Sequence, residues 1–185
     1  MIGPSFPGVL RAAQDGDETA FAELWRDAQP VLLRYLHVLS GPGFAEDVAS
    51  DTWLHVVRGL AGFRGDERAW RGWLVTVARR RAVDAGRLRQ RTPTVPWEPG
   101  DEPPPAPAAE TLVLTALDTR AALDLVARLP RQQAEAVVLR VVAGLEPRQV
   151  AELLGTSPGA VRVAVHRGLR RLAQELAQEQ GGQAL

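Results

Sequence analysis

Apolar residues recur at helical spacing along most of the chain, and no stretch alternates as a strand would. Residues 1–16 carry little pattern and are expected to fray. From Asp17, which suits a helix N-cap, Phe21, Leu24, Trp25, Ala28, Leu32, Tyr35, Leu36 and Leu39 keep one apolar face. Pro30 falls inside this run and is expected to kink or split it; Gly41-Pro42-Gly43 ends it. Residues 44–60 read as a second helix packed through Val48, Thr52, Trp53, Val56, Val57 and Leu60. Residues 63–70 read as a charged and aromatic loop, leading into a helix over 71–89 packed through Trp73, Leu74, Val77 and Ala78.

Proline, alanine and acids then dominate 92–110, a composition that builds no core and predicts an extended spacer. Beyond it the spacing predicts a helix from Leu112 to Leu129, another over 131–143, and two further helices joined by a tight turn. The first of that pair starts at Pro147 and buries Val150, Ala151 and Leu154. Gly155 supplies a left-handed end, and Ser157 caps the second, whose buried stripe is Val161, Val165, Leu169 and Leu172. The tail from Gln178 is expected to be disordered. The pattern predicts an all-α fold: two small helical domains joined by a Pro-rich acidic linker, the C-terminal one carrying a helix-turn-helix.

Composition narrows the function classes. The chain has 185 residues and no cysteine, which excludes disulfides and thiolate metal sites. No apolar run approaches the roughly 20 residues of a membrane span, and no signal-peptide core is present, so a cytoplasmic protein is expected. The three histidines, His37, His55 and His166, lie on separate helices without ligand-like spacing. No phosphate loop or nucleophile–base pair is visible, so neither catalysis nor a metal or other cofactor is expected. A formal net charge of zero argues against a general nucleic-acid coat. The charge is segregated, however: residues 63–91 hold nine arginines against three acids, and 156–172 hold four against none.

That segregation marks the candidate chemistry. Along the last helix Arg162, His166, Arg167, Arg170 and Arg171 are left for solvent or phosphate, although the helix pair alone could be an ordinary αα corner. Asp47, Asp51, Leu54 and Arg58 fall at i, i+4, i+7 and i+11, on a face other than the packing face. Acids there also suit the helix dipole. Phe63, Trp70 and Trp73 beside arginines suit single-stranded nucleic acid, where bases stack on rings and phosphates pair with guanidinium. The same rings serve equally as core, the reading that fits Trp73 better.

Taken in order, three stretches resemble a known family. AEDVASDTWLHVV, FRGDERAWRGWLVTVARRRAVDAGR and LPRQQAEAVVLRVVAGLEPRQVAELLGTSPGAVRVAVHRGLRRL are similar to regions 2.2, 2.3–2.4 and 4 of bacterial RNA polymerase sigma factors. The closest resemblance is to the short extracytoplasmic-function (ECF) class of the sigma-70 family. It implies a region 2-like domain over 1–91, a flexible linker over 92–111 and a region 4-like domain over 112–178. It also implies that Asp47, Asp51 and Leu54 dock on the beta-prime clamp of core RNA polymerase, with the beta flap a second polymerase contact. Phe63, Arg64, Trp70, Arg79 and Arg80 become the minus-10 DNA contacts, the loop 63–70 holding a base flipped from the opened strand. Ser157, Arg162, His166, Arg167 and Arg170 become the minus-35 contacts. Core polymerase, promoter DNA and an anti-sigma factor are the implied partners, with no membrane insertion. The chain departs from the pattern at Ser50, at Arg80 and at Val163-Ala164, where the family usually carries glutamine, asparagine and a Ser-Arg pair. Two alternatives fit parts of the pattern: a helix-turn-helix regulator that never docks on polymerase, and a divergent sigma-like protein that binds polymerase but reads promoters weakly.

Overall fold

The computed structural model describes residues 2–91 and 110–182, so residues 92–109 of the expected linker and 183–185 of the tail lie outside the described residues. Every regular element among the described residues is helical: α1 (Phe6–Gln14), α2 (Glu18–Ser40), α3 (Ala45–Leu60), α4 (Glu67–Arg91), α5 (Glu110–Arg128), α6 (Arg131–Val137), α7 (Pro147–Leu154) and α8 (Pro158–Gly182). Short 3-10 turns precede α1 and α3, and a π-helical turn, Val138–Val142, extends α6.

The helix ends follow local chemistry. Asp17 accepts a hydrogen bond from the Ala20 N–H at 2.9 Å and starts α2. Gly155, at φ +65°, ends α7 in the left-handed region, and the Thr156 N–H returns to the Ala151 carbonyl at 2.9 Å. Ser157 Oγ accepts from the Ala160 N–H and starts α8. The start of α7 carries a device that periodicity does not reveal: Glu146 and Gln149 exchange side-chain and backbone bonds as a capping box.

The structure departs from the sequence expectations at several points. Residues 2–14 do not fray: a 3-10 turn leads into α1, whose Phe6, Leu10 and Ala13 are buried against α2. α2 runs unbroken through Pro30. Both Pro30 and Arg26, whose carbonyl loses its intrahelical partner, are exposed, so water can replace that bond. α4 begins at Glu67, with Asp66 Oδ1 accepting from the Ala69 N–H, so Trp70 belongs to a helix rather than a loop. α8 continues to Gly182, past the point where disorder was expected. Trp25, Val57 and Leu169, assigned to packing faces, are exposed. For Leu169 the reason is its neighbour: a Cβ on Gly168 would lie 2.8 Å from Val137 Cγ2, so the backbones of α8 and α6 meet at Gly168 and Leu169 is turned outward.

α2, α3 and α4 pack on one another with α1 laid along α2, and α6, α7 and α8 form the second unit. One buried cluster nevertheless runs through both halves, from Phe6, Leu32, Tyr35 and Trp70 to Leu139, Leu145, Val150 and Val161. α2 supplies the joint, touching α5, α6 and the π turn.

Candidate functional site

The outward face of α3 exists because its inward face is already saturated. Val48, Ala49, Thr52, Trp53, Val56 and Leu60 are buried, the Trp53 indole donating to Gln29 at 2.6 Å. Asp47 is exposed and has no ion-pair partner among the described residues. Leu54 and Val57 are exposed by 58% and 54%, which makes them an apolar patch two to three turns along the helix from that acid. Asp51 lies alongside but is already shared: its carboxylate is 3.4 Å from His55 Nδ1 and 4.0 Å from an Arg81 nitrogen.

Next to this face the loop 61–66 turns the chain into α4. Arg64 stays with its own loop, donating to the Ala61 carbonyl at 2.8 Å and the Phe63 carbonyl at 2.7 Å. Two of the residues expected at the minus-10 contact are not exposed. Trp70 is 1% exposed and Phe63 is buried, so neither offers a free ring face on which a base could stack. They pack with Trp73 into an aromatic cluster, Phe63 stacked on Trp73 at 5.2 Å and edge-on to Trp70 at 5.6 Å. The rings therefore form the floor beneath the loop.

Those arginines differ in availability. Arg80 is exposed. Arg79 reaches across to the other half, where its Nε donates to Glu135 Oε1 at 3.0 Å; the Tyr35 hydroxyl donates to the same oxygen at 3.5 Å. Glu135 is 4% exposed, so its charge is buried and balanced chiefly by Arg79. Burial, reinforced by that carboxylate, pushes the Tyr35 phenol well above its ordinary range. Two further bonds join the halves: His37 Nε2 to Asp124 at 2.6 Å, and Gln149 Nε2 to the Arg68 carbonyl at 3.4 Å. The first helix of the helix-turn-helix thus lies beside α4, leaving between them a cleft of about 490 Å³ lined in part by Arg79, Arg80, Gln149 and Glu152.

On α8, Arg162, His166 and Arg170 follow at i, i+4 and i+8 as one exposed stripe, with exposed Arg167 to its side. Ser157 is exposed at the head of the helix, its hydroxyl engaged in the cap. Val163, 48% exposed, stands between the stripe and Arg167. Away from this surface, Val126, Val141, Leu169, Leu172 and Leu176 line an apolar groove of about 900 Å³ between α5, the π turn and α8. Sequence periodicity missed this groove because it placed Leu169 in the core.

Comparison with known proteins agrees with this arrangement. The family description "Sigma-70 region 2" matches residues 24–92, and "Sigma-70, region 4" matches 119–172. The ECF RNA polymerase sigma factor ShbA of Streptomyces griseus is 34% identical over 174 residues, covering 89% of this chain and 91% of the relative. The ECF sigma factor SigD of Mycobacterium tuberculosis is 32% identical over 182 residues, covering 95% and 86%. Among solved structures, CnrH in complex with the cytosolic domain of CnrY superposes with a TM-score of 0.64 at 19% identity, over 94% of this chain and 98% of that one, a likeness of fold. Sigma-70 regions 2 and 4 in order, with ECF relatives matched over most of their length, place the chain in the ECF class of the sigma-70 family, RNA polymerase subunits that direct promoter-specific transcription.

Proposed function

We propose that residues 1–91 dock on core polymerase and capture the opened minus-10 strand, that 92–111 act as a spacer, and that 112–178 bind minus-35 DNA. The observation that carries this reading is the exposed Asp47–Leu54–Val57 face of α3 standing beside the basic α4. Asp47 pairs with a basic residue of the beta-prime clamp while Leu54 and Val57 bury apolar surface against it; Asp51 contributes once His55 and Arg81 yield it. Unstacking a base requires a few kcal/mol, so melting without ATP needs a receiving site, and the loop 61–66 above the Phe63–Trp70–Trp73 floor supplies one. Arg64, Arg79 and Arg80 hold phosphates there. Arg79 is free for this only after Glu135 releases it, so separation of the halves precedes strand capture.

In the major groove Arg162, His166 and Arg170 face the minus-35 element, with Arg167 and Ser157 at its edge. Val163 offers an apolar surface suited to a thymine methyl rather than a hydrogen bond. The groove around Val141, Leu169 and Leu176 takes the beta flap. One solved neighbour of similar fold, with a TM-score of 0.62, is a sigma factor in complex with the anti-sigma factor NepR from Bartonella quintana. By that likeness an anti-sigma factor is a further partner, and the chain works in the cytoplasm, where polymerase is.

The test separates the two units within the full chain. Asp47→Ala lowers affinity for core polymerase roughly three- to tenfold, as loss of a charge pair at an interface does. Binding of the same variant to minus-35 duplex stays at the wild-type level. Unchanged core affinity removes Asp47 from the docking face.

A further inference from the structure

The loop 61–66 is gripped at both ends by the first fourteen residues, a segment that precedes the region 2 match at 24–92. At one end Gln14, the last residue of α1, commits its side-chain amide to the loop, with Nε2 donating to the Leu60 carbonyl and to the Phe63 carbonyl, each at 2.9 Å. Leu60 closes α3, and its carbonyl also accepts from the Phe63 N–H at 3.0 Å. Phe63 lies in the loop itself, and its carbonyl also accepts from Arg64 at 2.7 Å, so Gln14 ties together a turn that is already bonded. At the other end Glu67, which opens α4, uses both carboxylate oxygens: Oε1 accepts from the Ile2 N–H and Oε2 from the Gly3 N–H, each at 3.0 Å. Bonds of this kind to a charged group are the stronger ones. Arg71 holds Glu67 at 3.4 Å and is itself held by Asp27 at 3.3 Å. Phe6, Leu10 and Ala13 anchor α1 in the core, so the grip has a fixed base.

We propose that Gln14 and Glu67 are positioning residues for promoter opening: the N-terminal segment holds the loop 61–66 in the shape that receives the flipped base. Clamping both ends removes conformational freedom before DNA arrives, so less ordering is left for the moment of capture. The inference rests on the reading of this loop as the strand-capture element, and it assigns to residues 2–14 a role in opening that lies outside the matched family region.

The experiment uses full-length variants assembled with core polymerase, on a promoter that wild-type holoenzyme selects from a random-sequence pool. Gln14→Ala removes both donated bonds; Gln14→Glu keeps the size and sets a carboxylate against two carbonyl oxygens. Loss of two hydrogen bonds accelerates amide hydrogen exchange across 61–66 roughly five- to tenfold in Gln14→Ala, and more in Gln14→Glu. Transcription from duplex promoter falls by a similar factor, core affinity stays within about twofold, and a template already unpaired at minus-10 recovers most of the activity. Unchanged exchange in 61–66 overturns the inference, as does faster exchange with undiminished duplex transcription. Equal behaviour of Gln14→Glu and wild type also overturns it, because that outcome assigns Gln14 to packing alone. Gly65→Ala separates failure of the clamp from failure of the loop reading: at φ +153° its added Cβ would lie 2.7 Å from Ala69 Cβ and distort the loop directly. If Gly65→Ala blocks duplex opening while the Gln14 variants do not, the clamp alone falls. If neither affects opening, the reading of the loop falls with it.

Discussion

Replacing Glu135 by glutamine tests how the two halves hold each other. The substitution keeps side-chain volume and removes the charge that Arg79 meets at 3.0 Å. Breaking one side of a fully buried ion pair costs about 3–5 kcal/mol, whereas an exposed pair is worth about 0–1 kcal/mol. The Glu135 side chain is 6% exposed and that of Arg79 is 31% exposed, so the value lies between these limits. About 1–2 kcal/mol is the expected loss, near the 1.4 kcal/mol that changes an equilibrium tenfold. His37–Asp124 and Gln149–Arg68 survive the change, so docking weakens without being abolished. With no native cysteine, cysteines placed at exposed Arg58 and Arg148 can carry a dye pair without background labelling. Energy transfer between the dyes then reads the open population, and titration with a single-stranded minus-10 oligonucleotide reads the availability of Arg79. Glu135→Gln raises the open population roughly tenfold and tightens oligonucleotide binding. Arg79→Ala opens the halves as well but weakens binding. An unchanged distance distribution in Glu135→Gln, or weaker oligonucleotide binding, refutes the reasoning.

Two further predictions concern the packing around this joint. Gly168→Ala forces a Cβ to within 2.8 Å of Val137 Cγ2 and 3.3 Å of Leu129 Cδ1. Overpacking of about 1–3 kcal/mol outweighs the roughly 1 kcal/mol gain in helix propensity, so calorimetry shows a lower Tm; a higher one contradicts the close approach. Because burial raises the Tyr35 phenol above its ordinary value of 10.0, the native chain keeps a proton that the unfolded chain releases. Stability therefore falls as pH rises above about 10, and Tyr35→Phe flattens that fall in alkaline denaturation curves; parallel curves rule the effect out.

What the sequence revealed and what it hid have separate physical causes. Asp17, Gly155 and Ser157 act within four residues of their targets, so residue type alone indicates a cap or a left-handed turn. α1 escaped notice although Phe6, Leu10 and Ala13 keep helical spacing, because Pro4, Pro7 and Gly8 depress local propensity and tertiary burial overrides it. Phe63 and Trp70 were ambiguous in principle: an aromatic residue beside arginines has the same pattern whether it stacks on a base or fills a core. Gly168 is read correctly only when the helix it approaches is known. The pairs Arg79–Glu135 and Gln14–Phe63 join residues 56 and 49 apart, and no local periodicity encodes such a meeting. The outward α3 face was legible down to Asp47 and Leu54, while Val57 joined it only because the inward face was already filled.

Transcription itself provides the most direct test. Purified protein is added to core RNA polymerase on a random-sequence promoter library, and the transcript start sites are sequenced. The expected result is initiation at defined positions, with shared sequence elements near minus-10 and minus-35 that vanish when the protein is omitted. Start sites indistinguishable from those of core polymerase alone would contradict a promoter-reading role for this chain.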